Sequence, residues 1–415
     1  MPVHFPIKKL SSKERLPNQE SGTIGFMRVI MKSARNRAIA AQILGIVGFF
    51  LLPVHSSAQD MTDSNVVALD RQWGKEVLAQ IDTDSWLPDS HLYAENATRE
   101  NVDPSHRQPA FMWGCGVQLS ALIEAAKADP QAYTARLCEY ADALHIYWRN
   151  DALGGYDCLP CPKPDDRYYD DNTWIVLALA EIYQITRQVK YLQQAEATMK
   201  FVLSGEDDKL GGGIYWHETS KESKNTCSNA PAIVGALQLY RLTKKPSYLD
   251  AGRRLYAWTQ SHLQDTDGLY WDHISLDGNI SKAKISYNTA LMIRAACLFY
   301  ELTRDESYLN EARQMGQAAL DKWVGPDGRV ADRGAYAELL LGSFLALNEV
   351  DSDPKWLDTA DRIVHFLHAR LRDPNGRYPN RWDSPPSAPL DNFDLLEQAG
   401  VANAYWETSN AYRRK

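Results

Sequence analysis

A short pattern recurs along the chain and restricts how it can fold. Four segments combine an aromatic residue and a leucine with a small residue four positions after the aromatic one. The aromatic residues are Tyr191, Tyr248, Tyr308 and Trp356, and the small residues are Ala195, Gly252, Ala312 and Ala360. Because residues four apart share a helix face, the small side chain lets its helix approach a neighbour closely. Including a first unit at Tyr133, which has Leu137 instead, the units are 48 to 60 residues apart, enough for a helical hairpin and a loop.

Hydrophobic periodicity alternates between two helix types. The segments 174–183, 230–240, 289–300 and 336–347 are apolar on nearly every side, which indicates buried helices. The helical segments that follow them are amphipathic, which predicts an outer layer of helices. These segments are residues 191–203, 248–263, 308–323 and 356–371. Residues 111–128 and 133–148 make a fifth pair of the same kind.

Two terminal helical segments, 66–81 and 393–412, can form a sixth pair only if the two ends of the domain meet. Twelve helices in inner and outer sets therefore predict an all-α fold, an (α/α)6 toroid of six helical hairpins. An open helical solenoid is the alternative, because it is also built from stacked hairpins.

The amino terminus has the pattern of an export signal. A basic region around Arg35 precedes an uncharged apolar stretch, Ala38 to Val54, and small residues before Gln59 suit cleavage. A membrane anchor is the competing interpretation, but the stretch is short for a span of about 20 residues. We therefore expect residues 1–58 to be an extension and signal peptide, and residues 59–415 to be one secreted or periplasmic domain without stable membrane insertion.

Six cysteines follow the expected signal, in a compartment where disulfides can form. Their pairing cannot be deduced from the sequence. Cys158 and Cys161 have C-x-x-C spacing, for which a local disulfide or two separate thiols are favoured over a redox pair or a zinc site. No second such motif exists, so no metal or other cofactor is expected.

The charge and the aromatic content limit which classes of molecule the protein is expected to bind. The formal net charge is -8 and basic residues are dispersed, which disfavours a nucleic-acid partner. The chain has 12 Trp and 21 Tyr, whose flat faces suit carbohydrate but also fill protein cores.

Loops that lead from an outer helix to the next inner helix are long and rich in glycine, aromatic and acidic residues. They include residues 154–157, 211–218, 268–273 and 376–378, and each is predicted to form a short hairpin at the mouth of the toroid. Functional residues are therefore expected on this rim.

Asp170 and Asp171 lie on this rim, flanked by aromatic residues and directly before an apolar helix. Glycosidic bond cleavage uses such a pair, one carboxyl group protonating the leaving oxygen while the other attacks the anomeric carbon or activates water. Helix capping is the alternative role for an aspartate at this place. The pairs Asp165–Asp166 and Asp207–Asp208 lack this setting and are predicted to be solvated loop acids.

Further candidates for substrate binding surround the pair. Aromatic candidates could stack on sugar rings or pack between loops, and polar candidates could bind hydroxyl groups, cap helices or be solvated. They are Tyr169, Trp174, Tyr215, Trp216, Asn229, Trp271, Asp272, Tyr287 and Asn288. His217 and His273 are on the same rim and are assigned no catalytic role.

Three motifs carry a resemblance to a known family. Residues 168–174, 225–231 and 286–290 read YYDDNTW, NTCSNAP and SYNTA. They resemble motifs of glycoside hydrolase family 76, the endo-α-1,6-mannanases, and the chain looks like a bacterial branch. The resemblance implies an (α/α)6 toroid, retaining hydrolysis of α-1,6-mannan without a metal, Asp170 as nucleophile and Asp171 as acid/base.

Other functions remain open at this point. The same cleft could serve a transglycosylase or a glycan-binding protein without activity. Uronide hydrolases and sugar epimerases also use such toroids. The former are expected to have basic residues around the pocket and the latter paired catalytic histidines, whereas the rim here is acidic and aromatic. The sequence does not distinguish endo from exo action.

Overall fold

The structure, a computed structural model, describes residues 63–98, 107–160 and 165–412. All of them belong to the unit that spans Gln59–Lys415. The expected export signal, the cleavage site and Cys161 lie outside the described residues. Within the described ranges, no helix is long and apolar enough to cross a membrane.

The described residues form twelve α-helices in two concentric sets. The inner helices are α2 (Met112–Ala128), α4 (Tyr169–Thr186), α6 (Thr226–Thr243), α8 (Ser286–Thr303), α10 (Gly334–Val350) and α12 (Leu395–Ala411). The outer helices are α1 (Asp63–Ser85), α3 (Pro130–Ala143), α5 (Val189–Leu203), α7 (Pro246–Leu263), α9 (Glu306–Trp323) and α11 (Lys355–Phe366). A π-helical turn continues α11 to Leu371.

The inner helices form a closed ring. Each contacts the next along the chain, and α12 contacts α2. The outer helix α1 packs on α12, so the first and last helices form the sixth hairpin. The predicted (α/α)6 toroid is confirmed, and the open solenoid alternative is wrong because the two ends of the domain meet.

The small residues of the repeat lie where outer and inner helices pack. Ala195, Gly252, Ala312 and Ala360 are buried. A Cβ atom on Gly252 of α7 would lie 3.0 Å from Leu237 of α6. A larger side chain at this position would therefore push the two helices apart.

Four inner helices, α4, α6, α8 and α10, begin earlier than the hydrophobic pattern predicts. Helix α4 begins at Tyr169 rather than near Trp174, because its first turn is polar and has no apolar periodicity. Asp170 and Asp171 are therefore inside the first turn of α4. At the other end, α4, α6 and α8 end at left-handed residues, Arg187, Lys244 and Arg304, and each cation lies over a tyrosine ring.

The rim also contains paired short strands beyond the hairpins predicted there. β1 (Trp86–Leu87) pairs with β2 (Leu92–Tyr93), and β3 (Asn96–Thr98) pairs with β7 (Asn392–Asp394), all antiparallel. β4 (Ser223–Asn225), β5 (His273–Ser275) and β6 (Ile280–Ser281) form an antiparallel sheet in which Asn225 lies opposite His273. Bridges such as Trp148–Tyr156, Glu206–Ile214 and Gln264–Tyr270 close the rim hairpins expected there.

Candidate active site

A side chain in the second turn of several inner helices ties that helix to a rim hairpin. The Asn172 amide accepts from the Tyr156 N–H at 2.6 Å and donates to its carbonyl at 2.8 Å. Asn229 makes the same pair of bonds to Ile214, at 2.8 and 3.0 Å. In α8, the Thr289 hydroxyl accepts from the Tyr270 N–H at 3.1 Å. We call these residues the hairpin anchors.

The anchors define equivalent positions on three neighbouring inner helices. Asp170, Cys227 and Tyr287 each lie two residues before an anchor, in the first turns of α4, α6 and α8. Helix α6 packs between α4 and α8 in the ring. Cys227 therefore lies on the helix between those of Asp170 and Tyr287, and the negative charge of Asp170 acts on its buried thiol. A carboxyl group, a thiol and a phenol thus occupy equivalent positions on three adjacent helices.

Several neutral donors surround the Asp170 carboxylate. The Trp216 indole N–H donates to Oδ2 at 3.2 Å, and the Asp171 backbone N–H donates to Oδ1 at 3.1 Å. Desolvation raises the pKa of Asp170 to about 6, while the neighbouring Cys227 thiol and the donors of the backbone and Trp216 oppose the rise. Asp170 is therefore the carboxyl group of the pair that ionises first.

Asp171 has the opposite environment. Its side chain is buried, and burial raises its pKa well above the usual range, assisted by the negative charges of Asp170 and Glu95. Two carboxyl groups whose pKa values diverge can serve as nucleophile and proton donor at the same pH. Neither aspartate is the N-cap of α4, which is Tyr168, so the capping alternative is wrong.

A row of stacked aromatic rings leads away from the pair. Tyr287 stacks on Tyr336 with ring centroids 4.9 Å apart, and Tyr336 stacks on Trp113 at 5.8 Å. Trp113 and Tyr336 were not predicted as site residues. The sequence did contain a pattern that could have identified them. Each is an aromatic residue near the start of an inner helix, the place that Asp170 occupies in α4.

Trp216 is the large hydrophobic side chain nearest to the pair that faces solvent, with 41% of its surface exposed. Its ring packs edge-on against Tyr168 at 5.4 Å. Tyr168 stacks on His217, whose Nδ1 lies 2.5 Å from Asp166 Oδ2. Asp166 was predicted to be a solvated loop acid, but it is buried and holds this loop through His217 and the Thr219 hydroxyl.

Asp272 and Trp271 are on the hairpin that follows α7. The Asp272 carbonyl accepts from the Thr226 N–H at 2.9 Å, and its carboxylate contacts His273 and faces Cys227. Asp272 therefore stays a candidate for substrate binding. The Trp271 N–H donates to Asp265 within its own hairpin at 3.2 Å.

Four other predicted substrate contacts are corrected because their side chains are buried in the core. Tyr169 is 1% exposed and stacks on Phe201 at 5.0 Å, and Asn229 is occupied as a hairpin anchor. Tyr215 is fully buried and donates its hydroxyl to Asp207 at 2.8 Å. Asn288 is fully buried as well, and its amide has no hydrogen-bond partner among the described residues.

Trp174 is also nearly buried and is not at the rim. It lines a small cavity of about 40 Å³ on the axis of the toroid, together with Glu181 and Arg294. Its expected contact with substrate is therefore corrected to a role in packing below the site.

No metal centre is found in the part of the chain that the structure describes, where no three His, Cys, Asp or Glu side chains could hold an ion. The described cysteines, Cys115, Cys138, Cys158, Cys227 and Cys297, are not joined to one another. A bond between Cys158 and Cys161 stays a prediction, since Cys161 lies outside the described residues.

Comparisons with known proteins agree with this geometry. The sequence profile of glycosyl hydrolase family 76 matches residues 88–338, more than half of the chain. An α-mannanase of this family from Bacteroides thetaiotaomicron has 33% sequence identity and a TM-score of 0.79, covering 85% of this chain and 99% of that chain.

Two more relatives differ in how much of their sequence and length matches this chain. The mannan endo-1,6-alpha-mannosidase of Candida glabrata is 30% identical over 141 residues, 30% of this chain and 31% of that protein. The chain spans about a third of the length of the curated relatives that it matches. An inactive α-1,6-mannanase variant of Salegentibacter sp. HEL1_6, with two consecutive aspartates replaced by asparagine, forms a complex with α-1,6-mannotriose. It shares the fold, with a TM-score of 0.71 at 19% identity over 82% of this chain and 99% of that chain.

Proposed function

Since this chain belongs to glycosyl hydrolase family 76, we propose that it is a retaining glycoside hydrolase that cleaves α-1,6-mannan or a related α-mannoside. The observation that carries the proposal is the unequal environment of two adjacent carboxyl groups. Asp170 receives hydrogen bonds from Trp216 and the backbone, whereas Asp171 is buried beside negative charge.

The proposed reaction has two displacements. The Asp170 carboxylate attacks the anomeric carbon while Asp171 gives its proton to the leaving glycosidic oxygen, which forms a glycosyl ester and releases the first product. Asp171, now ionised, takes a proton from water, and the water oxygen displaces Asp170 from the anomeric carbon. The sugar keeps its configuration and both carboxyl groups return to their starting states.

The aromatic side chains around the pair support a sugar ligand. Trp216 presents an open ring beside Asp170, and Tyr287 begins the row that continues to Tyr336 and Trp113. Flat apolar faces of this kind pack against the C–H groups of a pyranose ring. We assign substrate contact to Trp216, Tyr287 and Asp272, and an outer contact to Trp271.

The choice of mannan comes from the relatives. Names of solved and curated relatives include α-mannanase, mannan endo-1,6-alpha-mannosidase and a complex with α-1,6-mannotriose. The inactive Salegentibacter variant carries replacements of two consecutive aspartates, and Asp170 and Asp171 are consecutive. These parallels support an α-1,6-linked oligosaccharide or polysaccharide as the partner.

We also propose export and a bacterial branch. The signal pattern before Gln59 supports a secreted or periplasmic domain of residues 59–415. The Bacteroides structure, which is 33% identical over 85% of this chain, supports a bacterial branch.

The test compares the full chain with the variants Asp170→Asn and Asp171→Asn on linear α-1,6-mannan, with Asp165→Asn as a matched control. Asp165 is an exposed acid on the same rim. We expect the parent and the control to release mannooligosaccharides, and each pair variant to lose about 10²–10⁴-fold in rate, as is typical for catalytic acids and bases.

The products separate the alternatives. Products longer than the substrate would indicate transfer to a sugar hydroxyl in place of water. Binding of mannan without any cleavage by the parent would indicate a glycan-binding protein. Full activity of Asp170→Asn would contradict the proposed role of the pair.

A further inference from the structure

We propose that a cavity at the mouth opposite the catalytic pair binds an aliphatic diamine. One ammonium group contacts Glu407 and Gln238 inside the cavity, and the other contacts the glutamates at its outer end. The cavity measures about 320 Å³. The inference does not depend on the proposed reaction, because none of the residues that line the cavity belongs to the catalytic site.

The C-terminal ends of all six inner helices surround this cavity. Each helix contributes a residue of its last turn: Lys127, Gln184, Arg241, Glu301, Glu349 and Ala411. The carbonyl groups at the C-terminus of a helix carry partial negative charge, which favours a nearby cation. Six such ends at one mouth therefore favour a positively charged ligand.

The charged side chains of the cavity add to this preference. Five glutamates line it, against one lysine and two arginines. Lys127 is already paired with both Glu124 and Glu181, at 2.5 Å from each. The cavity therefore has an excess of negative charge when its glutamates are ionised.

Two acceptors in the cavity lack a partner. The Glu407 carboxyl group packs against Gly342 of α10, where a Cβ atom would lie 2.8 Å from Oε2, and it has no hydrogen bond or ion pair within the described residues. Gln238 of α6 is 6% exposed, and its Oε1 has no hydrogen-bond partner in the same part of the chain. An ionised carboxylate and an amide oxygen both accept, so the matching ligand group is a donor. An ammonium group supplies three donors and a positive charge.

The walls of the cavity favour an organic ammonium ion over a metal ion. Apolar side chains form part of the wall, among them Ile185, Val234, Leu298 and Leu345. Methylene groups pack against such side chains, whereas a divalent metal ion needs a shell of oxygen ligands. Among the described residues, no three His, Cys, Asp or Glu side chains could hold a metal ion.

Acids at both ends of the cavity fit a ligand with two charges. Glu407 also lines the small axial cavity of about 40 Å³, which places it at the inner end. Glu301 and Glu349 also line a neighbouring cavity beside the exposed Arg304, which places them at the outer end. Arg241 lies 3.6 Å from Glu301, too far for a hydrogen bond. A short alkyl chain with an ammonium group at each end can therefore contact both sets of acids.

The groups around Glu407 determine how binding depends on pH. They are Glu124 and Lys127 of α2, Glu181 of α4, Arg294 of α8 and Glu338 of α10. Burial raises the pKa of Glu407 to about 8, so its carboxyl group keeps a proton at neutral pH. An ammonium group favours the ionised form, so binding releases this proton and affinity rises with pH. Burial also raises the pKa of Glu338, to about 7, so a variant of Glu407 is needed to separate the two groups.

Isothermal titration calorimetry of the full chain with putrescine, a four-carbon diamine, tests the proposal at pH 7 and pH 8. The titrations are made at constant ionic strength and without mannan. n-Butylamine has the same alkyl chain with one ammonium group, and Mg²⁺ supplies two charges without a chain. Glu407→Gln removes the charge at the inner end, and Glu222→Gln on the exposed rim is the matched control.

We expect one putrescine to bind per chain, with an affinity about 5-fold higher at pH 8 than at pH 7 as Glu407 ionises. Glu407→Gln should lower the affinity at pH 8 about 10-fold, the effect of one charge-assisted hydrogen bond, and should reduce its rise with pH. Glu222→Gln should change neither. n-Butylamine should bind about 10-fold more weakly than putrescine, because it reaches only one end of the cavity.

Three results would overturn the proposal: no saturable binding of putrescine below about 10 mM, equal binding of n-butylamine or Mg²⁺, or unchanged affinity in Glu407→Gln. A cavity that holds only water gives the first result. If Glu407→Gln does not fold, Gly342→Ala displaces the carboxyl group from α10 and should weaken binding in the same way. Because mannan is absent, failure of the parent to cleave it would count against the proposed function alone.

Discussion

At the scale of single residues, the two aspartates of the pair differ in acidity because their neighbours differ. Asp170 is surrounded by neutral donors, and Asp171 by apolar surface and the Glu95 charge. The pair could be predicted from the sequence because its members are adjacent. Glu95 and Tyr336 could not, because only the fold brings Glu95 near Asp171 and Tyr336 against Tyr287.

Trp216→Phe is expected to keep the exposed ring and remove the N–H that donates to Asp170. We expect kcat/KM on α-1,6-mannan to fall about 3- to 10-fold, the effect of one partly exposed hydrogen bond to a carboxylate. The acid limb should also move to higher pH, since the ionised form of Asp170 loses a donor.

Trp271→Phe is the control for Trp216→Phe, because its N–H is bound to Asp265 and not to the pair. Assays of both variants across pH provide the comparison. A loss in Trp271→Phe equal to that in Trp216→Phe would show that the change comes from general disturbance of the rim.

At the scale of helices and hairpins, the anchors explain why the rim is ordered. The sequence suggested that asparagine near the start of an inner helix caps that helix or binds sugar. The structure instead uses Asn172 and Asn229 to satisfy both backbone groups of a hairpin residue. Local pattern could not reveal this, because the partner lies 15 or 16 residues away along the chain.

Asn229→Ala leaves the N–H and carbonyl of Ile214 buried without their side-chain partner. We expect the free energy of unfolding to fall by about 2 kcal/mol, typical of unsatisfied buried polar groups. Denaturant unfolding measures this, with Asn310→Ala on the exposed face of α9 as control. Unchanged stability together with weaker mannan binding would contradict the anchor role and favour a sugar contact.

At the scale of the whole molecule, ring closure determines both mouths of the toroid. The unpaired terminal helices predicted closure correctly. The strands at the rim could not be predicted because they are two or three residues long. Some also pair with strands that are distant along the chain, as β3 does with β7. At the opposite mouth, the C-terminal halves of the inner helices line a cavity of about 320 Å³ that contains several glutamates.

Glu407, which lines this cavity, is expected to make the stability of the folded state depend on pH. Burial raises its pKa to about 8, and Glu124 and Glu338 add to the rise against Arg294 and Lys127. The Glu407 carboxyl group therefore keeps its proton in the folded state at pH values where it is ionised in the unfolded state. Stability is expected to fall as pH rises from about 5 through 8.

Glu407→Gln should be more stable than the parent at pH 8, and the difference should shrink at pH 5. Thermal unfolding at both values measures this, and Glu222→Gln on the exposed rim serves as control. A difference that does not change with pH would show that Glu407 is not the group that titrates.

The most direct test of the central claim is the anomeric configuration of the first product. Hydrolysis of an α-1,6-mannooligosaccharide is followed by 1H NMR from the first minutes, before the sugar interconverts in solution. Two displacements at Asp170 and Asp171 predict that the α-anomer forms first and the β-anomer follows. Initial release of the β-anomer would contradict a covalent intermediate on Asp170.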